Sequence, residues 1–413
     1  MTGFDMKIAA SAVPRRLGAF EHLFAAYGED GTMNFTVAAC VSGMLAEADV
    51  IVALAKVQER HTLLRASLAW DENDAHCFVR SDRPIPVSVH SGSAATWHRL
   101  AEDEMNKPLV SGEAPLVRVV VALHADSSIL LLTFNHAVVD GLAAMFVLRE
   151  ILVALSGGEL SAPISTSRLE DHMGLDVPLF SQEKHLRANF NKGNHDHASV
   201  SLSGVAIDSV EIDKDHLRRL YLNAKSRGLT LNSVLTAAHG RALVDLNDRW
   251  SSVPLRVMSP IDLKPEFAIP EHVGLSLSIA ITPFERHRPA FWEDARRVQA
   301  QISKFRARNM GIWMVSDLAK RFLDDASYEA TRERVVNHIP FDTIMTNLGV
   351  LSMPNRYGDL VIEKIWAPAL RSVPRQDVVA AATFGDSLSL VHTAVDGTAG
   401  LLARIEEILD EAE

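Results

Sequence analysis

The residue types that can do chemistry gather at one junction. His136, followed four residues on by Asp140 and Gly141, closes the apolar run ILLLTF (129–134). A helix follows with Leu142, Met145, Leu148, Leu152 and Leu155 on one face. An imidazole at the exit of a buried strand, just ahead of a helix, is held by rigid elements on both sides. That suits a group that must present a nitrogen in fixed orientation to move a proton. With 17 His, 52 Asp plus Glu and 22 Gly in 413 residues, H-x-x-x-[DE]-G is expected about 0.1 times by chance. Taken alone the motif leaves two readings open. His136 is either a reactive base beside an oriented carboxylate, or a turn histidine beside a helix that Asp140 caps.

The elements that must position this junction follow from periodicity. Residues 17–27 (LGAFEHLFAAY) read as a short helix and 34–41 (NFTVAACV) as a strand. A helix over 46–61 carries Val50, Leu54 and Val57, and strands fit LLRASLAW, AHCFVRS and PIPVSVHS, with a helix over 96–105 after them. PLVRVVVAL (115–123) and the ILLLTF run form a hairpin. Between 156 and 200, Gly, Ser, Pro, His and Asn dominate, with one helix near 179–189, which marks an interdomain connection. His195, Asp196 and His197 fall there. They crowd in one irregular polar loop with no second spaced pair, so a solvated linker is the better reading than a metal site.

The second half restarts with a helix over 214–227 and another that Thr230 can cap. Strands VPLRVMSPIDL and HVGLSLSIAITPF, helices over 289–309 and 313–325, then DTIMTNLGVL and VIEKIWAP follow. A hairpin turning at Gly385-Asp386 and a last helix over 399–411 complete it. The expected fold is α/β, in the layered α+β sense: two subdomains, each a mixed sheet with helices, meeting at a central cleft. The expected division is 1–165, a linker over 166–200, and 201–413.

Charge and composition exclude several classes. Lys plus Arg number 41 against 52 Asp plus Glu, a net charge of −11 without a basic tract, which disfavours nucleic acid and anionic membrane surfaces. The first residues lack the apolar core of a signal peptide, and no run of about 18 apolar residues offers a membrane span. Two cysteines, Cys40 and Cys77, in strand-like apolar surroundings point to a reduced, cytoplasmic setting. No G-x-S-x-G is present, and buried thiols are poor nucleophiles. Neither a ligand cluster nor a phosphate-cradling glycine loop appears, so no metal and no tightly held cofactor is expected.

With these stretches in view, the chain resembles the condensation-domain superfamily. That superfamily includes condensation domains of peptide synthetases and polyketide-associated acyltransferases, and shares a fold with chloramphenicol acetyltransferase. Its His-His-x-x-x-Asp-Gly signature is matched by Asn135, His136, Asp140 and Gly141. ALAKVQERHTLLRASL (53–68) looks like the family's N-terminal helix with Arg60, His61, Leu64 and Arg65. PLVRVVV (115–121), SPIDLKP (259–265) and EHVGLSLSIAI (271–281) are further matches. Asn135 replaces the first histidine, and Lys264 stands where relatives often have arginine. TFGDS (383–387) is not the Asp-Phe-Gly-Trp-Gly segment of the plant branch.

The resemblance implies transfer of an acyl group, other than an amino-acyl one, from acyl-CoA or a phosphopantetheinyl thioester to a hydroxyl or amine of a small acceptor. No covalent acyl-enzyme is implied. His136 would be the general base and Asp140 a structural carboxylate paired with Arg256 or Lys264. Thr346 and Asn347 would place polar groups near the reaction centre, although a strand-end turn is the plainer reading. An acyl or peptidyl carrier protein is the implied partner. The elementary chemistry agrees, since acyl transfer needs a base and help for an oxyanion, and imidazole titrates near about 6.5. Arg296, Arg297, Lys304, Arg306 and Arg308 could meet donor phosphates, although a solvated helix face is the plainer reading. The rival reading is a catalytically silent docking module that recruits assembly-line partners.

Overall fold

A strand that is apolar on both faces must lie inside a sheet, and Ser127–Asn135 is such a strand. Leu130, Leu131, Leu132 and Phe134 along it are fully buried. The computed structural model describes residues 15–28, 32–71, 76–92, 96–110, 112, 114–162, 164, 166–176, 204–286, 290–320, 341–373 and 375–412. In it, Ser127–Asn135 pairs antiparallel with Asn34–Ser42 and, through the expected hairpin, with Val117–Leu123. Val87–Ser91 lies parallel to Val117–Leu123 and closes that side of a six-stranded mixed sheet.

The other side of this sheet is closed by chain from far downstream. Leu360–Leu370 runs antiparallel to Asn34–Ser42, with Arg356–Tyr357 outside it. The sequence reading assigns residues 201–413 to the second half, yet 356–370 complete the first sheet. Pairing between strands so distant in the chain leaves no local pattern, because a strand's own alternation does not name its neighbour.

The second sheet runs in the order Leu277–Phe284, Leu255–Asp262, Thr343–Val350, Val378–Phe384, Ser387–Val395, Val205–Ile212. Thr343–Val350 is parallel to both of its neighbours, and the other pairs are antiparallel. Both six-stranded sheets are open, and a small third sheet joins Arg15–Arg16, His76–Arg80 and Ala66–Trp70. The chain is therefore two sheet-and-helix units of mixed α/β type. One apolar cluster crosses between them, from Val120 and Leu131 of the first sheet to Ala380, Ala382 and Val391 of the second.

The helix Gly141–Leu155 packs against Glu47–Arg60. A buried ion cluster fastens the pair: Arg60 Nε lies 2.8 Å from Glu150 Oε1, His61 Nε2 donates to Glu150 Oε2, and Arg60 Nη1 donates to the Ala162 carbonyl. Arg65 Nε donates to the Gln58 carbonyl and Leu64 is fully buried. This stretch thus holds the motif helix rather than touching the cleft. In the second half Thr230 Oγ1 accepts the Ser233 N–H and caps Leu231–Leu246. The helices expected over 289–309 and 313–325 are seen as Phe291–Arg306 and Arg308–Lys320. The helix expected near 179–189 and the group His195, Asp196 and His197 lie outside the described residues.

One core histidine makes folding pH-dependent. His239 is fully buried, with Nε2 2.8 Å from Thr343 Oγ1, and Thr343 donates in turn to the Asp377 carbonyl at 2.6 Å. With the threonine's proton committed, His239 Nε2–H must donate, so Nδ1 carries the lone pair and has no partner among the described residues. Burial pushes the imidazole down to about 3, against the charge of Asp377. The native state therefore holds it neutral while the unfolded chain protonates it near about 6.5. Below that pH the unfolded state binds more protons, and stability falls with falling pH by up to about 1.4 kcal/mol per unit. Urea unfolding at about pH 5 should show lower stability than at about pH 7.5, and His239→Gln should flatten that slope. An equal slope in His239→Gln would remove this account.

Candidate active site

The motif turn is built from its first residue. Asn135 ends the buried strand, with Oδ1 accepting the Ala137 N–H at 2.9 Å and Nδ2 donating to the Leu109 carbonyl at 2.7 Å. Both ends of the amide are used in shaping the turn. His136 N–H donates to the Met33 carbonyl at 3.0 Å, which ties the turn to the adjacent loop. Its partly exposed imidazole lies beside the rings of Phe24 and Phe35, at 4.4 and 4.8 Å between centroids. Nδ1 is turned into the protein and makes no well-formed hydrogen bond among the described residues. Burial lowers the pKa of His136, opposed by the His136 carbonyl, the Asp140 charge and the Val139 carbonyl. The ring is thus neutral at neutral pH, as a proton acceptor must be.

Asp140 is tied into the scaffold through both of its oxygens. Oδ1 accepts the Ala143 N–H at 2.8 Å and caps the motif helix; Oδ2 accepts the Ser276 N–H at 3.1 Å. Lys264 Nζ stands 3.6 Å from Oδ2 and 3.2 Å from Asp262 Oδ1. The Asp140 N–H donates to the Gly274 carbonyl at 3.2 Å. Burial works against ionisation of Asp140, but Lys264, the Ala143 and Ser276 N–H groups, and His136 outweigh it and hold the carboxyl below its usual range. Gly141 follows because space is short: a Cβ there would meet Leu348 Cδ2 of the second half at 2.9 Å.

Of the two cations expected beside Asp140, the structure selects Lys264. Arg256 instead forks onto Asp342, with Nε–Oδ2 and Nη2–Oδ1 both at 3.0 Å. It lies six residues before Asp262 on the same strand, about 20 Å away at strand rise, too far to reach the turn.

The imidazole opens into a cavity of about 320 Å³ between the two halves. His136, Asp140, Gly141 and Leu142 form one wall; Met258, Ser276, Leu277, Thr346 and Asn347 face them from the second half. The helix Ala19–Gly28 adds Phe20, Leu23, Phe24 and Tyr27, so the surface is largely apolar. Asn347 Oδ1 accepts the Gly349 N–H at 2.7 Å, where Gly349 adopts a φ of 71° at a bulge. That orientation leaves the Asn347 amide N–H₂ for another acceptor. A second cavity, of about 450 Å³, shares Leu142 and Asp262 with the first and takes in Arg149, Lys264 and His272.

Other candidates lie elsewhere. Arg297 is held by Asp294, Arg306 lies 3.7 Å from Glu266, and Arg308 donates to the Glu266 carbonyl; no member of that basic stretch lines either cavity. Cys77 is buried, and burial together with the Asp71 charge pushes its thiol up to about 11, while Cys40 is also raised, chiefly by burial. Among the described residues no group of three or more His, Cys, Asp and Glu is arranged to hold a metal. None of their helices is long and apolar enough to cross a membrane.

The aromatic neighbours of His136 and the backbone N–H of Ser276 were not singled out by sequence. The sequence pattern predicts the helix over 17–27, and Phe20, Phe24 and Tyr27 fall on one face of it. Spacing alone does not distinguish a face that lines a cavity from one that fills a core.

Two open mixed sheets, with the histidine motif in the cleft between them, give a fold shared with solved condensation domains. Among solved structures, the first condensation domain of the CDA synthetase matches with a TM-score of 0.69 and 13% identity, over 97% of this chain and 96% of that one. Polyketide synthase associated protein 5 from Mycobacterium tuberculosis matches with a TM-score of 0.64 and 16% identity, over 97% and 98%. The trichothecene 15-O-acetyltransferase TRI3 from Fusarium sporotrichioides matches with a TM-score of 0.67 and 12% identity, over 97% and 94%. At these identities the likeness is one of fold. In sequence, 141 residues, 34% of the chain, are 28% identical to the hybrid PKS-NRPS synthetase LUC5 of Fusarium sp. A further match, over 227 residues or 51% of the chain, is 25% identical to tyrocidine synthase 3 of Brevibacillus parabrevis. These matches span 4% of the length of either synthetase. No family model matches the chain.

Substitutions at Asp140 separate its two duties. Asp140→Ala removes the cap, at about 0.5–2 kcal/mol, and also leaves the buried Ser276 N–H without its acceptor and Lys264 with Asp262 alone. Asp140→Asn keeps a capping oxygen for the Ala143 N–H but loses the charge and the acceptor of the Ser276 N–H. Thermal melts should therefore rank wild type above Asp140→Asn, and Asp140→Asn above Asp140→Ala. Equal melting of Asp140→Ala and wild type would exclude the fastening role.

Proposed function

We propose that this protein is an acyltransferase that moves an acyl group from a thioester to a hydroxyl or amine, with His136 as general base. The observation that carries the proposal is a neutral imidazole opening onto an apolar cavity between two halves, with its neighbouring carboxylate tied back into the scaffold. In this reading His136 takes the proton from the acceptor O–H or N–H as that atom attacks the thioester carbonyl carbon. The tetrahedral intermediate then collapses with loss of the C–S bond. The imidazolium returns its proton to the leaving sulfur, which departs as a thiol. The Asn347 amide and the Thr346 hydroxyl are the proposed donors to the oxyanion. The raised thiols of Cys40 and Cys77 favour direct transfer over a cysteinyl intermediate.

The donor is an acyl-CoA or an acyl chain on the phosphopantetheine of a carrier protein, and the setting is assembly of a polyketide, peptide or lipid product. The names of the similar proteins support that class: two are synthetases, one is a condensation domain and one is an O-acetyltransferase. Asn135 does not favour the silent docking module. Its amide oxygen and nitrogen are both bonded in the turn, and Asn135 does not line the cavity.

The test is thiol release from a panel of acyl-CoA donors and an acylated carrier protein, with small alcohols and amines as acceptors. Wild type should release thiol from at least one donor class in an acceptor-dependent way. His136→Ala should lose about 10²–10⁴-fold of that rate while melting close to wild type. Full activity in His136→Ala, or no acceptor-dependent release from either donor class, would defeat the proposal.

A further inference from the structure

Polar groups line both ends of the cavity. One end is the motif, where His136 faces Thr346 and Asn347. At the other, Ser372 and Gln376 line the same cavity with only 5% and 8% of their surface exposed. The Ser372 hydroxyl donates to Gln376 Oε1, which leaves the Nε2–H₂ group for another acceptor. Resting on the acyl-transfer reading, which leaves the far end of the substrate unassigned, we propose that Gln376, oriented by Ser372, binds an oxygen carried on the substrate chain remote from the reacting bond. The substrate class is an oxygenated aliphatic chain, with a hydroxyl or carbonyl at that depth.

Two routes give the depth. In the second sheet Asn347 pairs with Ala381, and Gln376 lies five residues before Ala381, about 16 Å at strand rise. On the first-half side the His136 N–H reaches the Met33 carbonyl, and the Met33 N–H reaches the Arg371 carbonyl. Ser372 therefore follows a segment two strand spacings, or about 10 Å, from the motif. Met33 and Ile344 line the cavity along these routes, so the space between the two polar ends is apolar. Gln376 has the strand parity of Ala380 and Ala382, which pack with the first sheet, and this places its amide on the cleft side.

The backbone on either side of Gln376 is fixed. Its own N–H donates to the Val373 carbonyl at 3.2 Å, and the Arg375 N–H donates to the Val395 carbonyl at 2.8 Å. Asp377 accepts the Thr398 N–H and faces His392 Nε2, both at 2.8 Å, while its carbonyl takes the Ile344 N–H at 3.1 Å. A polar group supported in this way keeps its direction, and a buried donor without an acceptor is costly. A chain bearing an oxygen at this depth satisfies the donor; a plain alkyl chain leaves it unpaired. A site discriminates most strongly when its own buried polar group is left unpaired by the wrong substrate.

The test is calorimetric binding of two matched pairs to the intact protein: dodecanoyl-CoA against 12-hydroxydodecanoyl-CoA, and decylamine against 10-amino-1-decanol. Wild type should bind the oxygenated member of one pair about 10- to 100-fold more tightly, the effect of one buried donor left unpaired. The pair that shows the ratio tells whether the acyl chain or the acceptor lies against Gln376. Gln376→Leu should lose the ratio while binding the plain member at least as well as wild type does. A wild type with no ratio in either pair overturns the proposal, as does a folded Gln376→Leu that keeps it. Equal weakening of both members in Gln376→Leu, which a merely structural role would give, overturns it too. Should Gln376→Leu not fold, Gln376→Met is read in the same way. Because binding needs no turnover, a Gln376-dependent ratio without acyl transfer would defeat the proposed function alone. Acyl transfer with no ratio in either pair would defeat this site alone.

Discussion

One buried carboxylate, that of Asp140, holds together what the rest of the cleft depends on. It starts the motif helix through Ala143, catches the backbone of the opposite half through Ser276, and faces the ammonium of Lys264. A carboxylate with this many donors stays ionised despite burial, and removing it would leave the Ala143 and Ser276 N–H groups without their acceptor and Lys264 with Asp262 alone. The turn that carries His136 is thereby referred to both halves at once. The strand Leu360–Leu370 makes the same connection at the scale of the sheets, since it leaves the second half to pair with Asn34–Ser42. Arg371, buried just beyond it, donates to the Met105 carbonyl and keeps the returning chain against the first half.

What the sequence made legible is what local pattern can encode. ILLLTF could only be a buried strand, the following apolar face could only be a helix, and Asp140 between them had the type and place of an N-cap. Lys264 and Arg256 both lie near the same strand in sequence. Deciding between them required knowing that the motif turn meets the strand's end, where Asp262 and Lys264 are, and not its beginning. Register is a non-local property, which is also why Leu360–Leu370 was placed in the second half. The contacts of Phe24 and Phe35 with His136 were illegible for a similar reason. Three segments far apart in the chain converge there, and each aromatic residue satisfies its own helix or strand pattern without reference to the others.

The chemistry follows from what surrounds the imidazole. Apolar burial keeps His136 neutral, the cavity beside it is walled mainly by hydrocarbon, and Thr346 and Asn347 line it from the opposite half. An acyl chain suits such walls, and a thioester carbonyl placed between His136 and Asn347 would have a base on one side and a donor on the other. Low local polarity strengthens both interactions relative to water. One fold hosts many chemistries, so the residues that face the cavity decide which of them this site can perform.

The most direct test of the central claim is the dependence of wild-type kcat/KM on pH, measured from about pH 4.5 to 8.5 with a productive donor and acceptor. A neutral, water-shielded His136 acting as base predicts a single acid limb whose midpoint lies below the ordinary imidazole value of about 6.5. A rate that is flat across that range, or a limb centred above neutrality, would contradict it.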